Sequence, residues 1–266
     1  MFDKNSFNIQ DAFKLAIKNH INKKFKEAKK LYSEILKIKP DHANVLNNLG
    51  EIFRAEGEIA KAKICYEKAI EANPNLASAF NNLGLIYSKN KDKFKAKDLF
   101  IKAVDLDSNF ANPNYNLGII YKELGDYKKA KIFYEKVIKI NSNHADTYNN
   151  LAIINEELGE TQNARKNYNK AIEINPKHIN ALWNSHILAF DIDEALSILR
   201  KINEIDKQKI ESRIMIGALE SYKGNFELYN NLLNSEHSDH PYMRSIKWIF
   251  SLSKLPKIFN FCPVGF

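Results

Sequence analysis

The chain contains little cysteine, little glycine and no long apolar run. Its two cysteines, Cys65 and Cys262, lie far apart and outside any CxxC pair, which excludes a disulfide framework and a cysteine-based zinc motif. We therefore expect a reducing compartment. No segment approaches the ~18 uncharged apolar residues of a membrane span, and the first residues lack the apolar stretch of a signal peptide. The sequence predicts a cytoplasmic protein without a membrane span.

Basic residues exceed acidic ones by 40 to 32, but arginine is scarce and scattered. The excess lies mostly in residues 1–42, where several lysines cluster. A nucleic-acid interface would need a continuous basic stripe with arginine and aromatic residues, so nucleic acid is not the expected partner. We interpret the cluster as a solvated helix face and keep polyanion binding as an alternative. The clustered lysines are Lys23, Lys24, Lys26, Lys29 and Lys30.

The sequence repeats itself with a period of 34 residues. A series of alanines is followed, one helical turn later, by aromatic residues on the same predicted helix face. Glycines recur at helix-packing and turn positions, and prolines stand between repeats. The pattern within each repeat therefore predicts two amphipathic helices, which stack on those of the neighbouring repeats to form one core. The two series are Ala28, Ala62, Ala96, Ala130 and Ala164, and Tyr32, Tyr66, Phe100, Tyr134 and Tyr168.

The segment from Asn47 to Pro74, NNLGEIFRAEGEIAKAKICYEKAIEANP, resembles a tetratricopeptide repeat (TPR). The resemblance implies an all-α, right-handed TPR solenoid of about seven helix pairs. The sixth repeat is expected to lose three residues at its internal turn, and the seventh is degenerate. We divide the chain into an N-terminal tail (1–8), five regular repeats (9–178, starting near residues 9, 43, 77, 111 and 145), a shortened repeat (179–209), a degenerate repeat (210–243) and an apolar C-terminal helix and tail (244–266).

Motifs that carry catalysis or bind phosphate are absent from the sequence, which contains no GxGxxG, GxxxxGK(S/T), HExxH or GxSxG. Carboxylates lie beside lysines on predicted helices, as Glu67 does beside Lys63, which indicates surface ion pairs. His42, His144 and His178 share one place between repeats where other repeats have apolar residues. This alternation favours packing or groove lining over metal binding. We expect no enzyme, no cofactor and no metal.

A second series with the same period consists of asparagines on the first predicted helix of each repeat. The TPR resemblance implies that first helices line the concave face, so these amides would form a row, the asparagine ladder. An amide offers both a donor and an acceptor, so the row suits the backbone of an extended peptide. The array is similar in this respect to the superhelix of O-GlcNAc transferase. Packing between neighbouring helices is the alternative role, and the sequence leaves both open. The ladder is Asn48, Asn82, Asn116, Asn150 and Asn184, and its neighbours in the predicted site are Asn47, Asn81, Tyr115, Asn149, Trp183, Asn44 and Asp146.

These patterns predict a non-catalytic scaffold that binds an extended or disordered segment of another protein in its concave groove. The ordering of a flexible peptide offsets much of its hydrogen bonding, so we expect affinity in the micromolar range. One alternative follows from the resemblance, because such arrays often precede glycosyltransferase, sulfotransferase or methyltransferase domains. The chain would then be the targeting arm of a truncated or split transferase, with a catalytic partner chain.

Overall fold

The computed structural model describes residues 8–235, 239–241 and 243. Within these residues the chain forms fourteen α-helices and no β-strand, which confirms the predicted all-α fold. The chain divides into two compact units, Met1–Ser142 and Asn143–Phe266, called here the N-terminal and C-terminal units. The first seven residues of the predicted tail, and the predicted helix and tail over 244–266, lie outside the described residues.

The N-terminal unit consists of four helix pairs. The two helices of each pair contact each other, and each second helix contacts the first helix of the next pair. This succession of neighbour contacts is the arrangement of an α-solenoid. The helices are α1 (Ile9–Ile21), α2 (Phe25–Ile38), α3 (Ala43–Ala55), α4 (Ile59–Ala72), α5 (Ala77–Lys89), α6 (Lys93–Leu106), α7 (Ala111–Glu123) and α8 (Tyr127–Ile140).

The C-terminal unit contains three further pairs with the same succession of contacts. Helix α11 has 9 residues, whereas the first helices of the other pairs have 13, as in α9. The shortening of this repeat therefore falls in the helix, because the turn 188–191 is no shorter than turn 158–160 of the preceding pair. The helices are α9 (Ala145–Glu157), α10 (Thr161–Ile174), α11 (Ile179–Ile187), α12 (Ile192–Ile205), α13 (Ile210–Tyr222) and α14 (Glu227–Leu233).

The aromatic ring of a second helix fills the space beside a glycine of its partner helix. Tyr66 and Phe100 are fully buried. A Cβ atom at Gly50 would lie 2.6 Å from Cε1 of Tyr66, and one at Gly84 would lie 2.7 Å from Cε1 of Phe100. Both distances are shorter than normal carbon contacts of ~3.5–4.0 Å. The glycines thus permit the close approach of the two helices that buries the ring.

The turn inside each regular repeat needs one residue in the left-handed region. Gly57 and Gly125 adopt φ values of +82° and +75° there. The equivalent positions in the first and third pairs hold Lys23 and Lys91, with φ values of 58° and 63°. A side chain with a Cβ atom is strained in this conformation, so these two turns are built with residues that fit them poorly.

Candidate peptide-binding face

First helices lie side by side within each unit. Helix α3 contacts both α1 and α5 in the N-terminal unit, and α9 contacts α11 in the C-terminal unit. We call the row of side chains at residues 44, 47, 48 and 51 of α3, with the residues in the same register on α5 and α7, the first-helix face. Because the same register recurs every 34 residues, side chains of one kind are repeated along it.

The asparagine ladder of the N-terminal unit makes hydrogen bonds between successive repeats. Nδ2 of Asn82 donates to Oδ1 of Asn47 over 3.0 Å. One repeat further on, Nδ2 of Asn116 donates to Oδ1 of Asn81 over 3.4 Å. Asn47 and Asn81 are buried, with exposed fractions of 4% and 3%. The ladder amides therefore connect helices, in addition to any role toward a ligand.

The ladder residues differ in how much of each amide remains accessible. Asn82 is 7% exposed, and its Nδ2 has a second acceptor, Oε1 of Glu51, at 2.9 Å. Asn48 and Asn116 are half-buried. Nδ2 of Asn48 donates to the hydroxyl of Tyr32 over 3.3 Å. Asn48 and Asn116 thus retain more capacity to bind a ligand than Asn82 does.

The C-terminal unit repeats the bond between neighbouring pairs. Nδ2 of Asn184 donates to Oδ1 of Asn149 over 3.3 Å. Asn149 is 7% exposed, whereas Asn150 and Asn184 are half-buried. The amide-to-amide contact therefore accompanies the repeat in both units.

The other predicted site residues lie at several levels of exposure. Asn44 is exposed, and Tyr115 is half-buried with its ring centroid 5.9 Å from that of Tyr134. Trp183 is half-buried, and Nζ of Lys209 lies 4.9 Å from its ring centroid. Tyr115 and Trp183 therefore add aromatic surface next to the ladder amides.

Two of the three inter-repeat histidines, His144 and His178, cap helices with their side chains, whereas His42 does not. Nδ1 of His144 accepts a hydrogen bond from the backbone N–H of Thr147 over 3.2 Å at the start of α9. His178 caps α11 in the same way, and its Nε2 lies 3.1 Å from Oδ1 of Asp146. Asp146, a predicted site residue, is exposed and already has this partner. Among the described residues, no group of three His, Cys, Asp or Glu side chains could hold a metal ion.

One residue of the first-helix face was not selected from the sequence, namely Glu51. Its register is occupied by Leu85, Ile119 and Ile153 in the next three repeats. Oε1 of Glu51 accepts hydrogen bonds from Nδ2 of Asn47 at 3.2 Å and of Asn82 at 2.9 Å. The available sequence signal was a single charged residue in an otherwise apolar series.

The lysine cluster of the first repeat is partly neutralised. Nζ of Lys29 lies 2.7 Å from a carboxylate oxygen of Glu56, and Lys23 occupies the internal turn. Among the described helices, none is long and apolar enough to cross a membrane.

Comparisons with known proteins identify the repeat. Models described as tetratricopeptide repeats match residues 109–177 and 77–110, and one described as a TPR repeat matches 50–91. Residues 50–177 therefore consist of tetratricopeptide repeats, as the helix pairs and the glycine and aromatic series predicted. In a comparison with curated proteins, none matches the sequence significantly.

Solved TPR structures share the fold. The crystal structure of MamA protein is 26% identical, covers 64% of this chain and 92% of its own, and has a TM-score of 0.52. PilF of Pseudomonas aeruginosa is 20% identical, with 80% and 97% coverage and a TM-score of 0.70. YrrB, described as a TPR protein with an unusual peptide-binding site, is 20% identical, with 72% and 97% coverage and a TM-score of 0.58. At 20% identity, the last two are similar to this chain in fold alone.

Proposed function

We propose that this TPR protein is a non-catalytic interaction scaffold that binds an extended segment of another protein on its first-helix face. The observation that supports this most is the recurrence of half-buried amide and aromatic side chains in one register on the first helices α3 and α7, which lie on either side of α5 with its buried Asn81 and Asn82. Asn48, Tyr115 and Asn116 are partly accessible there, where a packed core would have apolar residues. Such side chains combine apolar contact area with hydrogen-bonding groups.

The amide of Asn116 shows how the face would hold a backbone. It donates one hydrogen bond to Asn81 over 3.4 Å, and the amide group offers two N–H donors and one oxygen acceptor. A second N–H and the oxygen are therefore available to the C=O and N–H of a peptide. Recognition through backbone groups tolerates many sequences, because every peptide unit presents the same pair.

The bonds between ladder amides also support the proposal. A side chain that is already oriented loses less conformational entropy on binding than a free one, and this loss costs about 0.5–1.5 kcal/mol per side chain. The contact between Asn116 and Asn81 therefore preorganises the amide. YrrB, which has the same fold, is described as peptide-binding, and TPR arrays serve as interaction modules, which agrees with a binding function.

The test uses a variant in which Asn48 and Asn116 are both replaced by Ala. These two are chosen because they are half-buried and each donates a single long hydrogen bond. The probe is a pool of fluorescent synthetic peptides of low complexity, and anisotropy measures binding. We expect affinity to fall about tenfold, which is ~1.4 kcal/mol, with circular dichroism unchanged. The matched control is Asn169→Ala, which removes an exposed amide from the second helix α10.

A photoreactive version of the same peptides locates the contact. We expect cross-links on α3, α5 and α7, the first helices of the N-terminal unit. Cross-links confined to second helices, or equal binding by the double variant and the Asn169→Ala control, would contradict the proposal. A collapse of the melting temperature with unchanged binding per folded molecule would assign the ladder to packing.

A further inference from the structure

Glu51 is a carboxylate held by neutral partners on the first-helix face. Its Oε1 accepts from Nδ2 of Asn47 on its own helix at 3.2 Å and from Nδ2 of Asn82 on α5 at 2.9 Å. Nδ2 of Asn82 also donates to Oδ1 of Asn47 over 3.0 Å. Two helices thus fix the position of one carboxylate oxygen through buried amides, while the Glu51 side chain remains half-buried at the surface.

Glu51 forms no ion pair within the described part of the chain, where its Oε1 accepts hydrogen bonds from amides. The one basic residue of α3, Arg54, interacts with Tyr66 instead. Several other carboxylates of the same unit do form ion pairs, and basic residues are in excess overall, 40 to 32. A charged group that is partly removed from water is unfavourable unless a partner compensates it. The compensated carboxylates nearby are Glu56 with Lys29, Glu58 with Lys61 and Glu67 with Lys63.

A cation from outside the chain would supply this partner. Hydrogen bonds between a guanidinium or ammonium group and a carboxylate are roughly twice as strong as neutral ones. Within the described residues Oε2 of Glu51 accepts no hydrogen bond, and it offers an acceptor whose direction is set by the fixed Oε1. The carboxylate therefore presents a preorganised site for a single basic group.

The neighbouring repeats determine what accompanies that basic group. In the register of Glu51, α5 has Leu85 and α7 has Ile119, and both are half-buried. Leu85 packs against the buried cluster that contains Phe100 and Leu117, so its accessible part is a supported apolar surface. An extended ligand that follows the row of first helices passes from a carboxylate to two aliphatic side chains.

We propose that Glu51 selects peptides that contain a lysine or arginine next to a short run of apolar residues. The basic residue binds Glu51, and the apolar residues, which precede or follow it in the peptide, contact Leu85 and Ile119. This inference rests on the proposed function, because it specifies the ligand of the same face. It adds a requirement that backbone recognition alone does not have, namely one positive charge at one end of the N-terminal unit's first-helix face.

The experiment compares two pools of synthetic peptides in a background of leucine, serine and glycine. Each peptide of the first pool carries one arginine, and each of the second carries citrulline, which has nearly the same shape and no charge. We expect the wild-type protein to bind the arginine pool at least about tenfold more tightly. The preference should shrink as salt is added, because exposed charge pairs are screened.

Two substitutions remove the charge in different ways. Glu51→Gln keeps an oxygen that can accept from Asn47 and Asn82, and Glu51→Leu introduces the residue type found at position 85. Both should abolish the preference for arginine, so that each variant binds the arginine and citrulline pools with equal affinity. The matched control Glu71→Gln, an exposed carboxylate on α4, should keep the preference.

The outcomes separate this inference from the proposed function. If the wild type binds both pools equally, and the Asn48 and Asn116 double variant weakens both, then the face binds peptides and the role of Glu51 is refuted. If both variants of Glu51 keep the preference for arginine, the cation binds elsewhere and the inference also fails. If neither pool binds, the proposed function fails together with the inference.

Discussion

Replacement of Gly50 by Ala tests the close packing within a helix pair. The added Cβ would lie 2.6 Å from Cε1 and 2.9 Å from Cδ1 of the buried Tyr66 ring. Overpacking of this kind costs about 1–3 kcal/mol, whereas Ala in place of Gly inside a helix gains roughly 0.5–1 kcal/mol. The single substitution is therefore expected to destabilise the protein by up to about 2.5 kcal/mol.

A double-mutant cycle isolates the clash from the helix propensity. In a Tyr66→Leu background the ring is absent, so Gly50→Ala should stabilise by the propensity gain alone, about 0.5–1 kcal/mol. The coupling energy is then about 1–3 kcal/mol, obtained from urea unfolding of the four proteins followed by circular dichroism. Effects that add within about 0.5 kcal/mol would refute the reasoning.

Gly217 provides the matched control for this cycle. A Cβ atom at Gly217 would meet its nearest neighbours, in Leu232 and Tyr229, at 3.4 Å, which is close to an ordinary contact. Gly217→Ala should therefore stabilise the protein by up to about 1 kcal/mol. A loss of stability similar to that of Gly50→Ala would show that backbone effects, and not the ring contact, dominate.

Two further predictions concern a strained turn and a half-buried carboxyl group. Lys91→Gly should stabilise the protein by about 0.5–1 kcal/mol, because Lys91 has φ of 63° and glycine adopts this conformation without steric cost. The converse change, Gly125→Ala, should destabilise the protein. Urea unfolding midpoints equal to that of the wild type would contradict both predictions. Burial raises the pKa of Glu156, whose carboxylate accepts from the Tyr168 hydroxyl, so the folded state disfavours its ionisation. The contribution of this group to the free energy of unfolding should therefore decrease as the pH rises above about 4.3, the pKa of a glutamate side chain in the unfolded state. Glu156→Gln keeps an acceptor and should remove this fall, and a difference from wild type that is constant across pH would disprove it.

Much of the fold could be predicted because a TPR core is formed by contacts close in sequence. Tyr66 and Gly50 belong to one repeat, and both recur every 34 residues, so their pairing follows from period and size. The shortening of the sixth repeat was predicted in the correct amount, but the predicted place, the internal turn, was wrong, because the loss falls in helix α11. The sequence does not show that α11 ends one turn early, because the helix end depends on contacts that local propensity does not contain.

The role of the ladder was the part that periodicity left open. Asn82 was selected from the sequence as a ligand-binding residue, and it is buried with two acceptors, Asn47 and Glu51. The sequence could not assign these bonds, because they join residues of different helices and depend on the spacing of α3 and α5. Its peptide-binding role remains a proposal, and Asn48 and Asn116 are more accessible.

By itself the sequence determined the helix pairs, the repeat and the register in which like side chains align, because each depends on local spacing and nearest-neighbour packing. Only the tertiary structure determined which amides form hydrogen bonds with each other. It also left Glu51 with amide partners and no ion pair in the described part of the chain. These contacts form only if the spacing of adjacent helices is correct to within about the length of a hydrogen bond. The sequence pattern does not contain that spacing.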